Sequence, residues 1–535
     1  MGPDRPQSSR QSMPPKRTTQ EKMSSTVSRP TLSDGELELE RSILVSVKGR
    51  AVGGVASLVA RELAVRLIQL AGGIALARIL APATFGLFAI SYFAVNVFAL
   101  FSELGLGAAF IRRQEAVSDK ELESLFTFQL ILVCILAACL FMLAPAFSHV
   151  YRVSDATWMI RALSVALILI SLRTVPVVIA ERNLSYGPIM LSDVVRQVAF
   201  WILAVTLAVA GFGAWSLILG TLLSAAAGTG VLYATTSWRP RLRFDWRPIA
   251  HSARFGLMYQ GQAVTHFVKD TMTPSIGGLL YGSVAVGYLS WAIQLAGIPL
   301  LLTDIVSRVS YPALAKLQRN REAFISLLDS TLRWTCRLSL PGFAVLGGLA
   351  PQITEVMFGH KWLPALPSLY ILGLNMVLSV GTGILMPSLY SLGKASVGLR
   401  ISIGWTVITW ATSVILAIAG VGFESIAVAY AVGTLIALVA IIFEVSRIGH
   451  VNFADIVFVP VLSATVMGAF LHFMGHRLIQ GGLINLIAVA LIAGALGEII
   501  NVWPDRHRAV NAVKLLLTQS VGKGNRPEVF VPGSE

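Results

Sequence analysis

The chain has 535 residues, of which 55% are hydrophobic and only 13% charged, with a formal net charge of +14 and a mean hydropathy of +0.72. A water-soluble domain carries roughly a quarter of its residues as charges, so a soluble globular fold is excluded. Nucleic acid is excluded as a partner too, because the Lys and Arg residues fall mostly in short segments between apolar stretches, where membrane orientation accounts for them.

The first 45 or so residues are polar and rich in Ser, Pro, Lys and Arg. They read as a disordered cytoplasmic tail over residues 1–50, with Met23 as an alternative start. A cleavable signal needs an apolar core of about 7–15 residues behind a short basic opening, and none is present in this stretch.

Downstream, no charge occurs from Ser124 to Tyr151, from Gln197 to Trp238, or from Trp362 to Gly393. A hydrocarbon core about 30 Å thick takes about 20 apolar residues in a helix, so the first and third gaps hold one crossing each and the second holds two. Apolar windows and Gly/Pro punctuation predict fourteen crossings in all. The first six lie near 57–77, 84–110, 125–146, 157–180, 194–210 and 213–234. Six more lie near 254–275, 283–307, 334–356, 364–389, 400–420 and 424–444, and a final pair near 456–474 and 482–500. The fold class expected is an all-α polytopic membrane protein. Its parts are a six-helix lobe over 51–237, a basic cytoplasmic linker over 238–253 and a second six-helix lobe over 254–450. Two additional helices over 451–503 and a cytoplasmic tail over 504–535 complete it.

The basic residues orient this map. With the N-terminus inside, the internal cytoplasmic loops and their edges hold 18 Lys and Arg, against four in the outward loops: Arg78, Arg152, Lys361 and Arg477. Both termini are therefore expected in the cytoplasm. Cys134, Cys139 and Cys336 lie inside apolar helices and read as small core side chains, with no spacing for a disulfide or a metal. No cofactor is expected.

The two blocks of six also echo each other. Residues 77–88 (ARILAPATFGLF) and 278–289 (GLLYGSVAVGYL) lead into the second and eighth crossings at an offset of 201, which also sets Glu103 against Asp304. Two six-helix halves entering from the same side imply parallel repeats around an axis along the membrane normal, with a cleft between them.

The run GIALARILAPATFG from Gly73 to Gly86, continued by ELGLGAAFIRR from Glu103 to Arg113, resembles the start of the polysaccharide-transporter family of the multidrug/oligosaccharidyl-lipid/polysaccharide exporter superfamily. Further stretches follow in the family's order. They are Gly211–Trp215, Arg254–Leu257, Lys269-Asp270, Gly287–Ala292, Ser307–Leu317, Phe358–Ala365 and Ser391–Lys394. The chain departs from the family at Thr271–Pro274, where a Pro is expected to kink the seventh crossing. The resemblance implies a V-shaped pair of six-helix lobes that alternates between inward- and outward-open states in a bacterial inner membrane. It also implies a polyprenyl-diphosphate-linked oligosaccharide or related polysaccharide as cargo. The polymerase and glycosyltransferases of the same pathway are implied as partners, beside the membrane lipids.

Such a cargo needs no bond making; its charge must be offset across hydrocarbon, where an unpaired ion is costly. The candidate substrate contacts are therefore the intramembrane cations Arg66, Arg173, Lys269 and Arg161, each weighed against a structural ion pair (Glu62 with Arg66, for instance) or snorkelling. Arg112 and Arg113 form a candidate cytoplasmic rim that fixes topology or collects an anionic head group. No Walker-type loop is present, so ATP hydrolysis by this chain is not expected. Coupling to protons or cations would fall to Glu103, Asp270, Asp304 or His266. The helix glycines read as close-packing points, and Trp215, Trp291, Trp362, Tyr281 and Tyr288 as interfacial rings. The alternatives are a lipid-linked peptidoglycan-precursor flippase and a small-molecule drug exporter of the same superfamily. A polymerase or ligase is disfavoured because every predicted outward loop is short.

Overall fold

A computed structural model describes residues 65–502, except 103, 114, 116, 248, 251–259, 261–263, 265–266, 450 and 480–481. Every regular element among the described residues is helical. The N-terminal elements are α1 (65–79), α2 (Pro82–Ala99), α3 (Leu106–Arg112), α4 (Asp119–Val150), α5 (Ala156–Ser171), α6 (Thr174–Arg182), α7 (Gly187–Val209) and α8 (Trp215–Thr235). After an extended segment come a π-helical turn at Thr273–Gly277, α9 (Gly278–Ala296), α10 (Leu301–Lys316), α11 (Arg321–Gly348), α12 (Leu366–Ser391), α13 (Ala395–Ile418) and α14 (Glu424–Ser446). The final pair is α15 (Phe453–Leu478) and α16 (Leu483–Val502). Among the described residues eleven helical stretches are long and apolar enough to cross a membrane.

Apolar side chains cover the outside as well as the inside. Ile135, Met142, Ile418, Phe473 and Ile484 are all well exposed, which in water would be an aggregation surface and in a bilayer is the lipid face. Cys134 and Cys139 sit on that exposed side of α4, and only Cys336 is buried. The expectation of three core thiols is thus corrected. The apolar periodicity around α4 is too weak to tell a lipid-facing stripe from a protein-facing one.

Caps and breaks follow local chemistry. Ser118 caps α4 in a reciprocal capping box with Glu121, and Asn320 and Asn452 cap α11 and α15. The second crossing, expected to run unbroken over 84–110, is interrupted between α2 and α3, where Leu104 and Gly105 take left-handed conformations. The fourth breaks between α5 and α6 at Arg173. Pro274, which cannot donate to the helical ladder, falls inside the π-turn expected of a kink at this point.

Neighbouring helices pair as α7 with α8, α11 with α15, α12 with α14, and α13 with α14. Farther apart in sequence, α2 crosses α9.

Candidate functional site

The α2–α9 crossing is built on two glycines. A Cβ added at Gly86 would lie 1.6 Å from the Ser283 carbonyl oxygen, and one added at Gly287 would lie 2.0 Å from the Pro82 carbonyl oxygen. The two helices thus touch backbone to backbone, an approach that only glycine permits. Gly86 pairs with Gly287, and Pro82 with Ser283, at the same offset of 201 seen in the sequence echo. The chain turns into α2 at Ala81, and its counterpart Gly282 leaves helical geometry inside α9 with φ 78° and ψ −174°.

Next to this crossing, the α1–α2 turn is bonded to the 350–365 segment. Arg78 Nε donates to the Met357 carbonyl at 2.8 Å and its Nη2 to the Val356 carbonyl. Lys361 Nζ donates to the carbonyls of Arg78 and Leu80, both at 2.8 Å. Trp362 Nε1 donates to the Ala77 carbonyl at 2.9 Å. The last carbonyls of a helix have no partner within it, so each segment supplies the cation that caps the end of the other. Trp362 is fully buried, stacked on Trp291 at 5.2 Å and edge-on to Phe85. The expectation of interfacial rings is therefore corrected for Trp291 and Trp362, which form a core plug because each carries apolar area that the α2–α9 seam can bury.

Beside the plug, a cavity of about 1110 Å³ opens. One wall is α1 and α2, with Arg66, Gln69, Phe88, Tyr92 and Asn96; the other is residues 267–274 and α9, with Asp270, Thr271, Ser290 and Gln294. Trp201 of α7 closes a side, its ring seated against Gly72, where a Cβ would fall 2.5 Å from it. Among the described residues the lining is mostly apolar and aromatic, with amides, hydroxyls, one base and one acid set into it. At the far end of α2 the Gln260 side-chain amide donates to the Leu100 carbonyl.

The sequence-derived candidates separate on this frame. Arg66 and Asp270 line the cavity on opposite walls, and Arg66 Nη1 also reaches Gln69 Oε1 at 3.4 Å. Lys269 lies off the lining, 3.6 Å from Asp270 Oδ1 and over the Trp405 ring at 4.4 Å. Arg173 pairs with Asp193 at 2.7 Å. Arg161 stacks on Trp158 and Phe141. Asp304 is exposed in the first turn of α10 and does not line the cavity. Arg113 is held by Glu121 at 2.6 Å and Glu115 at 2.9 Å, and these hydrogen bonds raise its pKa above the usual arginine range. Arg112, beside it, ends α3. Glu62, Glu103 and His266 lie outside the described residues.

Sequence reasoning missed three features: the reciprocal caps, the Gln69, Asn96 and Gln294 amides, and Trp201. The caps had a signal, since both segments were picked out as motifs, but nothing in the chain linked one to the other.

The profile described as a polysaccharide biosynthesis protein matches residues 75–367. The succinoglycan biosynthesis transport protein ExoT of Rhizobium meliloti is 25% identical over 323 residues, which make up 60% of this chain and 65% of that one. The lipopolysaccharide biosynthesis protein WzxC of Escherichia coli is 24% identical over 58% of this chain and 63% of its own. The teichuronic acid biosynthesis protein TuaB of Bacillus subtilis is 24% identical over 52% and 58%. The chain thus spans less than two thirds of the length of these relatives. Among solved structures, the lipid II flippase MurJ in an inward closed conformation superposes with a TM-score of 0.70 at 15% identity, covering 88% of this chain and all of that one. An inward-facing multidrug-resistance transporter of the MATE family and MOP superfamily superposes with a TM-score of 0.55 at 19% identity, covering 72% of this chain and 94% of that one. The chain is a multi-pass membrane protein of that shared fold and belongs to the polysaccharide biosynthesis protein family.

Proposed function

We propose that this protein is a flippase, or exporter, of polyprenyl-diphosphate-linked oligosaccharide or a related polysaccharide across the bacterial inner membrane, working by alternating access without making or breaking bonds. The observation behind this reading is the cavity of about 1110 Å³ between α1–α2 and residues 267–274 with α9, lined by Arg66, by amides and by aromatic faces. Small-molecule sites are roughly 300–1,000 Å³, so this one has room for several sugars. Aromatic faces and side-chain amides suit sugar rings, and the guanidinium of Arg66 suits a phosphate oxygen.

In this reading the crossings number fourteen and form two six-helix lobes plus a final pair, both termini lie in the cytoplasm, and the Arg78–Lys361 end faces outward. That end is tied shut by the reciprocal caps, so the cavity would be loaded from the cytoplasmic side. Asp270 shares its carboxylate between the cavity and Lys269. Protonation or cation binding there would release Lys269, which gives a proton- or cation-coupled cycle a physical handle. The polymerase and glycosyltransferases of the pathway would deliver and consume the cargo.

The test is deletion of the gene followed by extraction of polyprenyl-diphosphate sugars. Complete repeat units should accumulate facing the cytoplasm; normal turnover of that pool with altered drug tolerance would overturn the proposal. In the complemented strain, Arg66→Ala is expected to lower export at least roughly tenfold at an unchanged membrane level, the scale of one charge-assisted hydrogen bond lost from a poorly hydrated site. Arg66→Lys should recover part of it. Full export by Arg66→Ala would remove Arg66 from the substrate path.

A further inference from the structure

The linker after α8 is not a loose tether. From Thr236 to Asp245 it has no regular secondary structure, and α4 holds it by side-chain acceptors: Arg243 N donates to Thr127 Oγ1 at 3.0 Å and Asp245 N to Ser124 Oγ at 3.2 Å. Arg239 folds back to cap α8, donating to the carbonyls of Tyr233 and Thr236. Trp238 packs edge-on to Phe126 at 5.6 Å, and Trp246 sits 5.9 Å from Phe128. The strap's backbone is therefore fixed.

What this fixed backbone presents outward is unusual for a water-exposed loop. Leu242, Phe244 and Trp246 are 76%, 56% and 55% exposed. Interleaved with and flanking them stand the exposed side chains of Arg241, Arg243 and Arg247, against a single acid, Asp245, whose carboxylate accepts from the Arg247 backbone N–H. Arg241 also borders a groove that holds Asp119 and Glu123. A protein that pins apolar rings in the open, alternating with guanidinium groups at the end of a membrane helix, matches the membrane–water boundary. Rings of this kind favour the head-group level and cations favour its anionic surface.

We propose that residues 241–247 form a binding surface for anionic phospholipid head groups of the bilayer, with Leu242, Phe244 and Trp246 entering the acyl boundary and Arg241, Arg243 and Arg247 contacting lipid phosphates. The strap thereby anchors the hinge segment between the two repeats to the leaflet at the basic end of the helices. This is independent of what the cavity transports.

The test uses the full chain in vesicles containing brominated phosphatidylglycerol or brominated phosphatidylcholine, with the Trp246 signal isolated by subtraction of a Trp246→Phe variant. Quenching is expected to favour the anionic lipid. The Arg241→Gln/Arg243→Gln/Arg247→Gln variant should weaken that preference by roughly 10- to 100-fold in relative affinity, each removed charge counting for several-fold, while the triple Lys variant keeps it. Equal quenching by both lipids would reduce the strap to an apolar anchor and overturn the proposal, as would an unchanged preference in the triple Gln variant. A response to polyprenyl phosphate with none to phosphatidylglycerol would reassign the strap to cargo capture and also overturn it.

Discussion

Gly86→Ala is expected to cost at least about 3 kcal/mol of folding stability, at the upper end of what overpacking one methyl group costs in a rigid interior. The added carbon would lie 1.6 Å from a backbone oxygen of Ser283. No rotamer change relieves that overlap, so α2 and α9 must move apart. Gly287→Ala should behave the same way, because its Cβ meets the Pro82 carbonyl oxygen at 2.0 Å. The double variant is the sharper measurement. Once one methyl has separated the helices, the other finds space, so the double should cost clearly less than the two singles added together. Gly347→Ala and Gly373→Ala, helical positions where a Cβ meets nothing within 4 Å, supply the control and are expected to be neutral or slightly stabilising. Thermal or denaturant unfolding in detergent reads all five proteins. Additive losses at Gly86 and Gly287 would show that the two positions are not one contact.

The functional expectation follows from geometry. The α2–α9 contact sits at the end bonded through Arg78 and Lys361, and separating it disfavours the state in which that end is shut. A shift of about 3 kcal/mol moves a two-state equilibrium by more than a hundredfold, enough, under the proposed alternating-access cycle, to hold the protein in one state and stop turnover. A cysteine in place of Phe85, which borders both the plug and the cavity, should become reactive from the Arg78–Lys361 end in Gly86→Ala and stay protected in the parent.

The same glycine pair marks how far the sequence could be read. The 201-residue echo set Gly86 against Gly287, and these two glycines do meet, each facing a backbone carbonyl of the other's helix. The all-helical class and most crossings were legible because long uncharged runs can only be membrane helices. Breaks at Leu104–Gly105 and at Arg173 were not read, although each had a local signal: Gly105 and Gly107 at the first, and Arg173, Thr174 and Pro176 at the second. Among the candidate residues, intramembrane charge alone identified Arg66 and Asp270 on the cavity, but it could not separate them from Arg173, whose partner Asp193 lies 20 positions away on another helix. The amides that share the lining were invisible to a search for charges.

Least legible were the reciprocal caps, and they lead to the second large effect. Trp362→Ala is expected to lower stability by about 3–5 kcal/mol, as for other fully buried aromatic side chains. Trp362 packs against Phe85, Tyr288 and Trp291 at once and donates to the Ala77 carbonyl. Trp362→Phe should keep most of the packing and lose only the hydrogen bond, a cost of about 1 kcal/mol. The gap between these two substitutions measures how much of the plug is shape and how much is capping. Lys361→Ala removes the adjoining cap from Arg78 and Leu80 without opening a void, so its loss should be nearer that of Trp362→Phe. If the loss instead matched that of Trp362→Ala, the ends of α1 and of the 350–358 segment would be held by their caps rather than by the buried rings. Closure of this end would then be an electrostatic latch, strengthened at low ionic strength. The packing seen here favours the other result, a closure whose energy lies in apolar area and whose caps set its register.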